Sequence, residues 1–212
     1  MLTALVDYDS GNLHSAEKAF QRMANETGRG TIVVTSEPDV VARADRIVLP
    51  GDGAFPSCSA ALYRFEGLAQ AIEEAVTVKG RPFLGICIGM QMLATRGLEF
   101  RETEGFGWIP GEVVKIEPAD PSMKVPHMGW NDLVVGYNHP VLSGINTGDH
   151  AYFVHSYHFN VAEPEHRLAY AEYGAEITAI VGRDNIVGTQ FHPEKSQATG
   201  LRLIANFLGW KP

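Results

Sequence analysis

The chain has 212 residues, 45% of them hydrophobic, with 17 Lys plus Arg against 25 Asp plus Glu and a formal charge of −8. That length buries a sizeable core, and the acidic balance without any basic run excludes nucleic acid as the main partner, because a phosphate backbone is held by clustered cations. No stretch is apolar for long enough to span a bilayer, the first seven residues lack signal-peptide character, and Cys58 and Cys87 read as free thiols of a reducing compartment, so a cytoplasmic globular protein is expected.

In chain order, residues 2–7, 31–35, 46–49 and 82–86 are short β-branched or apolar runs that read as strands. Between them, residues 12–22 place Leu13, Ala16, Ala19 and Phe20 at helical spacing, and residues 68–78 repeat the pattern with Ile72, Ala75 and Val76. This is the rhythm of parallel strands joined by crossover helices. Beyond about residue 105 the character changes to Gly, Pro, aromatics and short alternating runs at 111–116, 132–135, 151–157, 168–172, 177–182 and 186–190, with a tight turn at 183–185. A last helix follows, capped by Ser196 or Thr199, with Leu201, Ile204, Phe207 and Leu208 on one face. The expected fold is a single α/β domain over residues 1–212 with a mixed, largely parallel central sheet flanked by helices.

The densest chemical signal is Gly85-Ile86-Cys87-Ile88-Gly89-Met90-Gln91 after an apolar strand. It is the thiol form of a nucleophile elbow, with glycines where any side chain would strike neighbouring backbone. A helix start there favours thiolate and offers N–H groups to an oxyanion. Taken alone, the elbow fits an ordinary buried cysteine equally well. Cys58 has no such setting and reads as structural. A thiol nucleophile needs a base and the base an orienter. His192-Pro193-Glu194 at a strand end supplies both, since residues i and i+2 of an extended segment project to one side. Pro50-Gly51-Asp52-Gly53 leaves another strand as a glycine turn whose N–H groups, with that of Ile88, suit an oxyanion hole. The histidines do not group at metal-ligand spacing, and no metal or cofactor is expected.

Through the elbow, the Pro50-Gly51-x-Gly53 turn and His192-Pro193-Glu194, the chain resembles the class I (triad) glutamine amidotransferases. More narrowly, it resembles the glutaminase subunits of imidazole glycerol phosphate synthases, through Asp7-Tyr8-x-x-Gly11-Asn12-Leu13, Pro126-His127-Met128-Gly129-Trp130-Asn131, Phe153-Val154-His155-Ser156-Tyr157 and His192-Pro193-Glu194-Lys195-Ser196. These motifs run over essentially the whole chain. The resemblance implies attack of Cys87 on the side-chain amide of glutamine, with His192 as base and acid and Glu194 orienting it. It implies that Gln91, Glu99, His155, Ser156 and Tyr157 hold the substrate. It also implies ammonia passing to a barrel-shaped cyclase subunit in a heterodimer, with Asn12, His127, Met128, Trp130, Tyr152 and Lys195 toward that partner. Trp130 reads equally well as core, and Gln91 and Glu99 as a solvated helix face.

Two positions depart from the family pattern. Asp9 stands where a glycine is usual, and Asp52 where the oxyanion turn usually has an apolar residue. A carboxylate aimed at a developing oxyanion opposes it, so Asp52 is expected to face solvent or a basic group. Competing readings are another small triad glutaminase, a non-catalytic subunit of the same fold, and a stand-alone cysteine hydrolase. Dependence of the rate on a partner separates them.

Overall fold

A computed structural model describes all residues from Met1 to Pro212. The alternating first half forms β1 (Leu2–Val6), α1 (Leu13–Thr27), β2 (Thr31–Thr35), α2 (Pro38–Arg43), β3 (Arg46–Gly51), α3 (Phe55–Arg64), α4 (Leu68–Glu73), β4 (Phe83–Cys87) and the short α5 (Ile88–Gln91). The second half forms β5 (Arg96–Gly97), β6 (Thr103–Glu104), β7 (Gly111–Lys115), β8 (His127–Asp132), β9 (Val134–Val135), β10 (His150–His155), β11 (Tyr157–Val161), β12 (Arg167–Glu172), β13 (Glu176–Arg183), β14 (Ile186–Thr189) and α6 (Gln197–Gly209).

Eight strands make the main sheet in the order β2-β1-β3-β4-β14-β13-β12-β9. The first five run parallel and the last three are added antiparallel. The sheet is therefore mixed and largely parallel, as expected. Strands β3, β4 and β14 are buried at every position, the signature of strands covered on both faces. Helix α1 lays Ala16, Ala19, Phe20 and Met23 on one side of the sheet, closes on Gly28 in the left-handed region (φ 65°), and packs beside α6. One continuous apolar cluster runs from Ala4 to Trp210.

The structure differs from the sequence expectation in five places. Residues 55–64 are helical, which the sequence pattern did not reveal, and residues 38–43 likewise. Residues 132–135 are not one strand: β8 ends at Asp132 and β9 begins at Val134. Residues 151–157 are broken at Ser156, so that β10 pairs with β8 while β11 pairs with β7 in a separate sheet. Ser196 begins α6 without capping it, because its Oγ donates to the His192 carbonyl (2.7 Å) and accepts from Tyr152 N–H (2.9 Å). No helix is long and apolar enough to cross a membrane.

Candidate active site

Strand β4 runs into α5 through Cys87, whose φ of 55° and ψ of −111° lie outside the usual regions for an L-residue. The flanking glycines are obligatory for a visible reason. A Cβ on Gly89 would sit 1.8 Å from the Leu49 carbonyl oxygen, and one on Gly85 2.4 Å from that of Gly89. Helix and strand thus meet backbone to backbone, and the sharp turn presents the thiol. Ile88 is the first residue of α5, so its N–H has no partner within the helix.

Strand β14 pairs in parallel with β4, which brings the chain beyond Thr189 to the same end of the sheet as Cys87. His192 and Glu194 are both buried there, joined by a 2.8 Å contact between Nδ1 and Oε1. Burial is the largest influence on His192 and acts downward. Hydrogen bonding with Cys87 and Glu194, together with the negative charge each carries when ionised, outweighs it and pushes the ring up to about 10. The imidazole therefore holds its proton when a thiolate and a carboxylate flank it. Gln190, absent from the sequence reading, also reaches the thiol: its Nε2 lies 3.7 Å from Cys87 Sγ, and its Oε1 accepts from Gln91 Nε2 at 3.0 Å. Its place two residues before His192, just past the end of β14, was the available signal.

A cavity of about 250 Å³ opens beside Cys87, lined among others by Asp52, Gly53, Ile88, Gln91, Glu99 and Tyr157. His155 and Ser156 also line it. Gln91 is fully buried rather than on a solvated face; its Nε2 donates to the Tyr157 carbonyl (3.0 Å), and its Oε1 is buried with no protein donor. Glu99 is buried too, and its Oε2 accepts the Phe55 N–H at the start of α3 (2.8 Å).

Gly51 closes β3 in register with Cys87, so the turn through Asp52 and Gly53 starts beside the thiol. Its backbone is held from the far side. Asp52 N–H donates to Ser10 Oγ (3.2 Å), which itself donates to the Asp52 carbonyl (3.0 Å). Cys58 Sγ lies 3.3 Å from that carbonyl and 3.1 Å from Ser10 Oγ, and burial, the largest influence, pushes its thiol up. The Tyr8 hydroxyl donates to the Pro50 carbonyl at 2.7 Å. Asp52 is exposed and forms no ion pair, in keeping with its expected solvent orientation. Asp9 adopts φ 61°, a left-handed conformation that a glycine takes without strain.

The residues expected toward a partner divide. Met128 and Trp130 alternate outward on β8, 61% and 48% exposed, and Tyr152 meets the Trp130 ring edge-on at 5.9 Å. Trp130 is thus not core. Asn12 is exposed and caps α1, its Oδ1 accepting from Ser15 N–H, and Lys195 is half-buried in the turn after His192. His127 departs from the expectation: it is 2% exposed, stacked between Phe153 and Tyr173, and turned to the inner face of β8. Strand alternation sends it opposite to Met128 and Trp130.

Comparison with known proteins agrees with this geometry. The family model for class-I glutamine amidotransferases matches residues 5–209. The imidazole glycerol phosphate synthase subunit HisH of Cereibacter sphaeroides is 76% identical over 212 residues, and that of Ruegeria pomeroyi 66%, each with both chains covered in full. Among solved structures, a glutamine amidotransferase superposes with a TM-score of 0.73 at 16% identity, covering 98% of this chain and 99% of its own. The acivicin-bound glutaminase domain of Trypanosoma brucei CTPS gives 0.65 at 15%, covering 100% and 95%, a likeness of fold alone. With a strained cysteine at the elbow, a buried His-Glu pair beside it and full-length identity of this order, the chain belongs to the class-I glutamine amidotransferases, in the group of the HisH subunits of imidazole glycerol phosphate synthase.

Proposed function

We infer that the chain is the glutaminase subunit of imidazole glycerol phosphate synthase, hydrolysing glutamine to glutamate and ammonia for a cyclase partner. The observation that carries the reading is the strained Cys87 backbone beside a buried, paired His192 in a glutamine-sized cavity. In this reading the Cys87 thiolate attacks the side-chain amide carbon, and His192, oriented by Glu194, gives its proton to the departing ammonia. Water, activated by His192 in turn, then hydrolyses the glutamyl thioester. The unpartnered Gln91 Oε1 suits an N–H of the substrate, and Glu99 suits its ammonium group. The Ile88 N–H and the turn from Gly51 to Gly53 suit the oxyanion.

We propose further that residues 1–212 act as one domain, which the single apolar cluster supports. The exposed Met128 and Trp130, with Tyr152 against the Trp130 ring, are proposed together with Asn12 and Lys195 as residues toward the cyclase. In the resting chain, the Asp52 N–H is committed to Ser10 Oγ and so is withheld from an oxyanion. Slow turnover alone and faster turnover in the loaded complex follow. The test is glutamate release by the chain alone and with the cyclase subunit plus its ribonucleotide, with Cys87→Ala as blank. A large partner-dependent rise that vanishes in the blank is expected. Equal rates in both states would refute the withheld donor, and no turnover in a verified complex would refute the glutaminase reading.

A further inference from the structure

Behind the exposed face of β8 lies a line of inward-facing polar groups that take no part in the proposed proton transfers. Asn131 Nδ2 lies 3.0 Å from the Glu172 carbonyl and 3.1 Å from His127 Nε2. His127 Nδ1 lies 2.9 Å from His155 Nε2, and His155 Nδ1 lies 2.8 Å from the Tyr157 carbonyl. Both rings are buried.

The two ends of this line are backbone carbonyls, which only accept, and that decides every proton between them. The Glu172 carbonyl requires the NH₂ end of Asn131 to face it, and the Asp132 N–H, 2.8 Å from Asn131 Oδ1, requires the oxygen on the other side. Asn131 therefore donates to His127 Nε2, and His127 must donate from Nδ1. His155 accepts at Nε2 and must donate from Nδ1 to Tyr157. One arrangement satisfies all five contacts, with each ring neutral and carrying its proton on Nδ1. A second proton on His155 would set two N–H groups against each other, and burial, the largest influence on both rings, lowers His127 to about 4 and His155 to about 3.

The line ends at the cavity. His155 and Tyr157 line its wall on either side of the Ser156 break, and the Tyr157 carbonyl also receives Gln91 Nε2. A hydrogen bond from a ring to the carbonyl two residues on fixes the bend that turns the chain from β10 into β11. Its other end is the strand whose opposite face carries Met128 and Trp130. We propose that Asn131, His127 and His155 form a one-way relay of hydrogen bonds that positions the glutamine-binding wall from the partner-facing strand, making His127 and Asn131 positioning residues for substrate binding. The inference rests on the glutamine site proposed above.

The test uses the chain in complex with the cyclase subunit. His127→Phe keeps the aromatic stack with Phe153 and Tyr173 but leaves His155 without its donor. Asn131→Asp, at a half-buried position, sets a carboxylate against His127 Nε2 with little risk to folding. Each is expected to raise the KM for glutamine about tenfold with kcat little changed, the loss of one aligned hydrogen bond in binding. In ¹⁵N NMR of the wild-type chain, both rings are expected as neutral Nδ1–H tautomers, and in His127→Phe the His155 Nε2 resonance is expected to shift to that of an acceptor without a donor while Nδ1 keeps its proton. Unchanged KM in both folded variants, or a wild-type His155 protonated on Nε2, would overturn the relay. An inactive wild-type complex would instead refute the glutamine reading, leaving the tautomer measurement to decide the relay by itself.

Discussion

His192 on one side and His127, His155 and His158 on the other pull stability in opposite directions with pH. A ring raised to about 10 binds its proton in the native chain where the unfolded chain, near 6.5, has released it. Its contribution is complete below about 6.5 and is lost as pH rises toward 10. His127, His155 and His158, lowered chiefly by burial to about 4, 3 and 4, refuse protons that the unfolded chain takes up below 6.5, so they destabilise the fold as pH falls. The melting temperature should therefore decline on both sides of neutrality. His192→Asn should flatten the alkaline limb and leave the acid limb in place, as thermal melts from pH 4 to 10 would reveal. An unchanged alkaline limb would mean that His192 is not held charged by its neighbours. Ser10 offers a separate check: Ser10→Ala frees the Asp52 peptide on one side, and its partner-free glutaminase rate should exceed that of the wild type. A rate at or below wild type would show that the hydroxyl is not what restrains the turn.

Among the elements, the elbow is the least tolerant. Gly89→Ala places a methyl 1.8 Å from the Leu49 oxygen, backbone that belongs to the fully buried β3 and cannot swing aside. A loss on the order of 3 kcal/mol is expected in urea titration, at the upper end of overpacking costs. A midpoint equal to wild type would show that β3 and α5 can separate. The elbow, the parallel strands and α1 were legible in the sequence because local spacing specifies them: apolar runs flanked by glycine, and a period near 3.6. Helix α3 was not, because its inward positions include the small Cys58 and Ala61 among Pro56, Ser57 and Ser59, which mimic a loop. The break at Ser156 was invisible for another reason. No glycine or proline marks the bend, and the change of sheet depends on the partners of His155 and Tyr157, His127 and Lys115, which lie on different strands. The cysteine elbow and the His192-Pro193-Glu194 segment were readable as motifs. The Ser10 and Cys58 contacts to Asp52 and the relay behind β8 were not, because each joins residues that only the folded sheet brings together.

For the whole molecule, the exposed tryptophan and methionine on β8 set the expectation for assembly. Trp130→Ala should weaken the complex by about 2 kcal/mol, roughly 30-fold in Kd by calorimetry, as aromatic anchors at interface centres do. The variant's own melting temperature should barely move, since Trp130 lies outside the buried cluster. Undiminished affinity would place the cyclase on another face. The strand order carries one more consequence, for synthesis rather than catalysis. Strand β14 is the last to be made, yet it lies in the middle of the sheet, between β4 and β13. Until it emerges, the five buried residues of β4 form a naked edge, a template for pairing with other chains. A nascent chain halted before Ile186 should consequently be held by chaperones or found in the pellet. Its elbow cysteine would be in place with no imidazole beside it, so that the proposed nucleophile is armed only when the sheet is closed.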